Sequence, residues 1–350
     1  MVSRSVGGRI WRALAAVALV AVLVGCSTQS EPGAADAEPP IRLGFSAWPG
    51  WFPWQVARDA GLFEKNGLKV DLVWYDDYTK SIDDLTGNRI DANSETLNDA
   101  LASYAAGGQP VIVLVNDNST GNDQVIVNPA IRSIRDLKGK RIGVEVGVVD
   151  HYLLLLGLQS VGLSPKDVTI VPLVTEQAAR QFAAGKLDAC AVFAPFTDLA
   201  KSTGRGKVLF SSRDFPGAIP DHLVVTRALV DRRPGDVQKL VNTWYDTLDY
   251  IARNPEKSRE IMARRAGVSL AEYARYRAGT RMFSLEENLE AFTPGADMAH
   301  LNYAAGSIAA FLQQTTMVKD KPAFQIGLVD DRFVRAYARG RATPQQEAQP

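Results

Sequence analysis

The stretch Ile41-Arg42-Leu43-Gly44-Phe45-Ser46, answered further along by Lys69-Val70-Asp71-Leu72-Val73-Trp74-Tyr75, decides the fold. Ile41, Leu43 and Phe45 alternate with other residues, and the second stretch alternates again, which is the period of a half-buried strand. Between them residues 52–64 read as a helix that stops at Asn66-Gly67. Strand, helix and strand in that order predict a parallel pair with its crossover helix.

The same rhythm continues outward. Leu97, Ala100, Leu101, Tyr104 and Ala105 recur at helical spacing before Gly107-Gly108, and Val111 to Val115 is an all-apolar strand of the kind buried in a parallel sheet. A second series opens at the polar turn Asp136-Leu137-Lys138-Gly139-Lys140. It predicts a strand over 141–146, a helix from Val149, an N-cap and helix start at Ser164-Pro165, a strand over 168–174 and a helix over 176–184 closed by Gly185. After Val225 long amphipathic patterns take over, such as Val237, Leu240, Val241, Trp244 and Leu248. The expectation is an α/β chain of two lobes, each a mainly parallel sheet flanked by helices, with extra C-terminal helices packed on a lobe already built.

At 350 residues, 46% hydrophobic and 22% charged, with 39 basic and 39 acidic side chains, the chain is ordinary globular protein. That excludes disorder, collagen and nucleic-acid binding by bulk charge. Arg4, Arg9 and Arg12 precede a 12-residue apolar run over 13–24, too short to span about 30 Å of hydrocarbon. Residues 1–25 therefore read as an export signal. Leu23-Val24-Gly25-Cys26 resembles a bacterial lipobox, which makes Cys26 the lipidated residue and 26–40 a tether without large apolar side chains. The competing reading is a plain secretory signal with an incidental cysteine. Removing the leader leaves 36 basic against 39 acidic side chains, a formal charge of −3. Cys190, in an apolar strand-like run, then has no disulfide partner and reads as a buried inert thiol. Residues 341–350 are polar and read as a disordered tail.

Several segments resemble the substrate-binding proteins of nitrate-, sulfonate- and taurine-type ABC importers. They are Gly61 to Val70, Gly87 to Asp91 with Asn93-Ser94, Asp136 to Val144, Gly162 to Val168 and Gly185 to Ala189, in the family's order and behind the lipobox. The resemblance implies a two-lobe periplasmic-binding-protein fold, type II-like, with lobe one over 41–126 plus 223–340 and lobe two over 127–222. It also implies a small-molecule ligand, permease and ATPase partners, a monomer held at the outer face of the membrane by its lipid, no cofactor and no catalysis.

In open α/β sheets ligands collect beyond the carboxyl ends of the strands. The first such loop, residues 46–54, holds Ser46, Trp48, Trp51 and Trp54, either an aromatic wall for a ligand or the packing of a Pro-rich turn. The second holds Asn93, Ser94, Glu95 and Thr96; Ser94 or Thr96 binds ligand, or Ser94 caps the next helix. The third, residues 116–123, is polar and contains Asn116, Asp117, Asn122 and Asp123. It is a ligand loop or an ordinary turn. Glu145, Val148, Asp150 and His151 stand at a strand-to-helix junction of lobe two, with Glu176 and Phe193 completing the rim and Asp221-His222 at the return crossover. No second His or Cys lies at metal-ligand spacing, so no metal is expected.

These loops carry Glu95, Asp117, Asp123, Glu145, Asp150, Glu176 and Asp221, and none carries an Arg or Lys. A bare anion is normally met by guanidinium groups. The charge pattern favours a zwitterion, an amine or a neutral heterocycle. Proteins that make the thiamin pyrimidine also resemble this family, so the alternatives are a binding protein for that pyrimidine precursor and an enzyme on the same fold.

Overall fold

The computed structural model describes residues 38–319 and 327–342. The export signal, Cys26, most of the tether and residues 343–350 lie outside them. The chain opens with β1 (Ile41–Ser46), α1 (Pro53–Asp59), α2 (Leu62–Lys65), β2 (Val70–Tyr75), α3 (Tyr78–Thr86), β3 (Ala92–Thr96), α4 (Leu97–Ala105) and β4 (Pro110–Ser119). The helix expected over 52–64 is two helices, broken where Gly61 takes φ +68°.

A second sheet follows from β5 (Asp123–Val127), β6 (Arg141–Val144), β7 (Thr169–Pro172), β8 (Ala189–Phe193) and β9 (Lys207–Ser211), with α5 (Val149–Ser160), α6 (Thr175–Ala183) and α7 (Phe196–Lys201) between them. Ser164-Pro165 opens only a 3-10 turn, in which Ser164 and Asp167 cap one another. The chain then returns through β10 (Pro220–Thr226), α8 (Arg227–Arg232), α9 (Pro234–Arg253), α10 (Pro255–Ala266), α11 (Leu270–Tyr276), β11 (Thr280–Met282), α12 (Leu285–Ala291), α13 (Leu301–Gln314) and α14 (Arg332–Ala342).

Two sheets result, in the orders β11-β4-β10-β3-β1-β2 and β7-β6-β8-β5-β9. Parallel pairs β1–β2 and β1–β3 make one half of the first sheet, and β10 runs antiparallel between β3 and β4. The second sheet repeats the plan, with β6–β7 and β6–β8 parallel and β5 antiparallel to β8 and β9, so both sheets are mixed rather than mainly parallel. The apolar run Val111 to Val115 lies in β4, whose strand partners β10 and β11 both run antiparallel to it. The returning strand enters the middle of the first sheet, so the two lobes are built from interleaved parts of one chain.

The sheet change falls at residues 120–122 and again between Ser211 and Pro220, and the two crossovers are pinned together. Ser119 Oγ and Ser212 Oγ lie 2.7 Å apart, and Gly121 N donates to Ser212 Oγ at 2.8 Å. Gly121 takes φ +137° with Arg213 3.1 Å from where a Cβ would stand, so a side chain there would be strained and crowded. Cys190 is buried in β8, as its apolar run predicts, and burial pushes its thiol well up from the ordinary value.

Candidate functional site

The ends of β3, β4 and β10 in lobe one face the N-terminal turns of α5 and α6 in lobe two. Between them lies a residual space of about 10 Å³, barely a water's room, lined by Trp48, Trp51, Tyr78, Thr96, Phe193 and Asp221, together with Asp123, Val149 and Ile219. Strand register explains part of this gathering. Asp221 pairs with Thr96 on one side and with Asp117 on the other. A bulge at Asn116 offsets the β4–β10 register next to that pair, a device that re-aims the end of a strand.

Four aromatic rings form the walls. Phe193 of lobe two meets Trp48 edge-on at 6.2 Å and Tyr78 at 6.4 Å, and Trp51 lies 5.3 Å from Tyr78. Trp48 donates its indole N–H to Asp117 Oδ1 at 2.9 Å. Gly50 makes that approach possible, since a Cβ there would stand 2.0 Å from Asp117 Oδ2.

Two acids, Asp123 and Asp221, line the space, and further buried carboxyls stand behind them. Asp117, Asp123, Asp150, Asp221, Glu95 and Asp99 are all at most 1% exposed. No N–H or hydroxyl donor reaches either carboxyl oxygen of Asp221, whose polar neighbour is the carboxyl of Asp117, and Asp117 Oδ2, Asp123 Oδ2, Asp150 Oδ1 and Glu95 Oε1 also lack such a donor. Burial without a cation disfavours the charged form. It raises Asp117, Asp123 and Asp99 to about 7 and Glu95 to about 8, and it lifts Asp150 and Asp221 well above the carboxylate range. Mutual repulsion adds to it: Asp117 and Asp123 act on Asp221, and Asp123 acts on Asp150. Hydrogen bonds from Trp48 to Asp117 and from Thr96 and Tyr78 to Asp99 pull the other way without winning. The histidines supply no counter-charge, because burial lowers His151 to about 4 and His222 to about 3.

Closure is held from both sides. Glu145 of lobe two accepts from Thr79 Oγ1 (2.7 Å) and Thr79 N (3.2 Å) of lobe one through one oxygen, and from Thr175 Oγ1 (2.7 Å) and Thr175 N (3.1 Å) through the other. Opposite, Arg275 and the Tyr276 hydroxyl of α11 donate to Asp198 of α7 at 2.8 and 3.1 Å.

The expected site residues distribute unevenly. Trp48, Trp51, Thr96 and Phe193 line the space, with Asp117 directly behind Trp48. Val148 is buried as the residue preceding α5. Ser46 is buried with a free hydroxyl, and Asn116 is buried with an unpartnered amide. Others belong elsewhere. Ser94 neither caps a helix nor faces the space, but accepts from Trp54 Nε1 at 2.9 Å in the core, and Trp54 itself packs on Trp244. Asn93 donates to Ser81 and Glu95 behind the sheet. Asn122 ties the crossover to Tyr276 O and Thr280 Oγ1. Glu176 points outward to Arg180, its neighbour one helical turn on, because an exposed i,i+4 pair satisfies it better than a buried cleft would. Residues 116–119, expected as loop, continue β4. Tyr78 and Asp99 are additions: the Tyr78 hydroxyl donates to Asp99 Oδ2 at 2.8 Å, and Thr96 Oγ1 donates to the same oxygen at 2.6 Å.

The sequence profile of the NMT1-like family matches residues 34–266. The chain belongs to the NMT1-like family. Curated relatives of this NMT1-like chain are named as binding proteins. A putative binding protein of Brucella abortus is 28% identical over 231 residues, covering 64% of this chain and 71% of its own. A putative aliphatic sulfonates-binding protein of Bacillus subtilis is 25% identical over 234 residues, covering 65% and 70%. Among solved structures, the alkanesulfonate-binding protein SsuA of Xanthomonas axonopodis superposes with a TM-score of 0.71 at 22% identity, over 84% of this chain and 99% of that one. The desulfurization enzyme DszB superposes at 0.60 and 18% identity, over 86% and 99%. These likenesses give the NMT1-like chain the periplasmic-binding-protein fold that the family resemblance implies.

Proposed function

We propose that this protein is the exported, Cys26-lipidated solute-binding component of an ABC importer, and that it closes two lobes on a small amine-bearing ligand for delivery to a permease and its ATPase. One observation carries the ligand class: Asp123 and Asp221, buried carboxyls with oxygens that meet no N–H or hydroxyl donor, line the interlobe space, and no Arg or Lys lines it. An amine would supply the missing hydrogen-bond donors and charge. Nitrate or an unsubstituted sulfonate would meet no fixed cation there. The sulfonate-binding relatives support the importer role, and the acids set this cleft apart from an anion site. The division into two lobes belongs to this reading, with Ser119, Gly121 and Ser212 at the hinge. Its crossovers fall at 120–122 and between Ser211 and Pro220, in place of the expected boundaries after 126 and 222, because β5 joins the second sheet and β10 the first.

The four aromatic rings favour a second ligand within the same role, a flat cationic ring such as the thiamin pyrimidine precursor. Enzymatic turnover is disfavoured, because the only cysteine among the described residues, Cys190, is inert in a strand core. A thermal-shift panel of taurine, ethanesulfonate, nitrate, amines and pyrimidines tests the role. A ligand at a hundred times its dissociation constant adds about 2.7 kcal/mol to stability. Stabilisation by an amine or pyrimidine is the expected outcome, and chemical conversion of the ligand would contradict it.

A further inference from the structure

We infer that the cleft is a proton-exchange site for an organic cation: the ligand carries a positive nitrogen and no carboxylate or sulfonate, and it enters as protons leave the acids. This deepens the proposed solute-binding role and rests on it. The central group is Asp221, which lines the space at 1% exposure and meets no N–H or hydroxyl donor, its polar neighbour being the carboxyl of Asp117. Asp123 lines it as well, equally buried and with one oxygen free. These are polar atoms already dehydrated and aimed at one small volume between aromatic rings, the surroundings that recognise a cation by charge and by ring faces.

Every element packed around Asp221 presents an acid or a neutral group. Asp117 of β4, Asp123 of β5 and Asp99 of α4 act on it directly. Behind them stand Glu95 of β3, Asp150 of α5 and Glu145 after β6, along with the phenols of Tyr78 and Tyr273, which burial keeps protonated. His151 is held neutral. Without a cation, burial favours the protonated forms of Asp99, Asp117, Asp123, Asp150, Asp221 and Glu95. A bound cation favours their ionised forms, so the protons are released as it enters. A zwitterion would place its anionic end among the same acids.

The opposite arrangement has a distinct signature. Protonated carboxyls are donors, so an anion gripped by them would bind more tightly in acid, whereas a cation binds more tightly in base. Choline, whose charge does not titrate, putrescine and benzylammonium serve as probes against ethanesulfonate and taurine, by calorimetry at about pH 5.5 and about pH 8. At least one cation is expected to bind at the higher pH and to weaken about tenfold per pH unit for each proton exchanged. Asp221→Asn is expected to weaken that cation at least about tenfold while raising the unfolding midpoint of the free protein at about pH 8, a rise that a merely structural acid would not give. Asp123→Asn repeats the test if the first variant misfolds. Taurine or ethanesulfonate binding that strengthens in acid would overturn the exchange and leave a solute-binding protein standing. Failure of all three cations at the higher pH would overturn it too, and silence from the whole panel would count against both readings.

Discussion

Asp84 and Asp221 are both nearly buried carboxyls of lobe one, and the chain treats them in opposite ways. At the outer edge Asp84 receives Lys80 Nζ at 2.6 Å, the Arg89 guanidinium and the Tyr75 hydroxyl at 2.8 Å. Burial alone would raise it, but those donors bring it down to about 2. In the cleft Asp221 is buried with acids and no cation beside it, and burial first and those acids second push it well up. Asp236, braced by Arg233 and Lys239, follows Asp84. A chain with 39 basic side chains does not lack cations. It uses them to neutralise buried acids outside the cleft, such as Asp84 and Asp236, and keeps them out of the lining of the space between the lobes, so the missing charge there is a property of the site.

The difference can be broken from either side. The largest effect is the pH dependence of stability. Glu95, Asp99, Asp117 and Asp123 titrate near 7 to 8 when folded and near 4 when unfolded. Between those values the folded state holds protons that the unfolded state has lost. Raising the pH from about 5 to about 8 therefore destabilises the free protein, by up to about 1.4 kcal/mol per pH unit for each such group before their mutual coupling. Urea melts across that range check the slope, and a flat profile would remove the contrast. Next in size is Asp84→Asn, expected to cost about 1–2 kcal/mol at neutral pH. The folded value of Asp84 is depressed, so its contribution is present above about 4 and fades as the pH falls toward about 2. The variant should lose that acid limb and keep the alkaline one. Smallest is Thr79→Val, which removes one hydroxyl from the Glu145 latch at an expected cost of about 1 kcal/mol in closure, read as a few-fold weaker ligand affinity with little change in melting.

Much of this was readable from residues alone. Alternation in 41–46 and 69–75 gave the parallel opening, the strand-end rule picked out Trp48, Trp51, Asp117 and Asp123, and the return crossover drew attention to Asp221. What escaped was set by distant register or by helix faces. Asp99 and Tyr78 sit in the first turns of α4 and α3, where a sequence shows only polar and aromatic positions of ordinary helices, and only the fold brings them together. Glu176 was the reverse case, since Arg180 four residues later already offered it a surface partner. Residues 116–119 looked like a turn because their side chains are polar, yet β4 extends through them past the bulge. Trp54 shared the aromatic run with Trp48 and Trp51, but its place inside α1 directs it to the core.

The central claim is that the cleft acids hold protons until a cation replaces them, and carboxyl-carbon NMR of aspartate- and glutamate-labelled protein measures that directly. The account predicts carboxyls in the free protein titrating at about 7 for Asp117 and Asp123 and at about 8 for Glu95, assigned by single Asn or Gln variants. Saturation with a cation that binds should move those midpoints down by at least about one pH unit, because a nearby positive charge favours the ionised form. Titration of every cleft carboxyl near 4 in the free protein, or midpoints that a bound cation leaves unmoved, would contradict it.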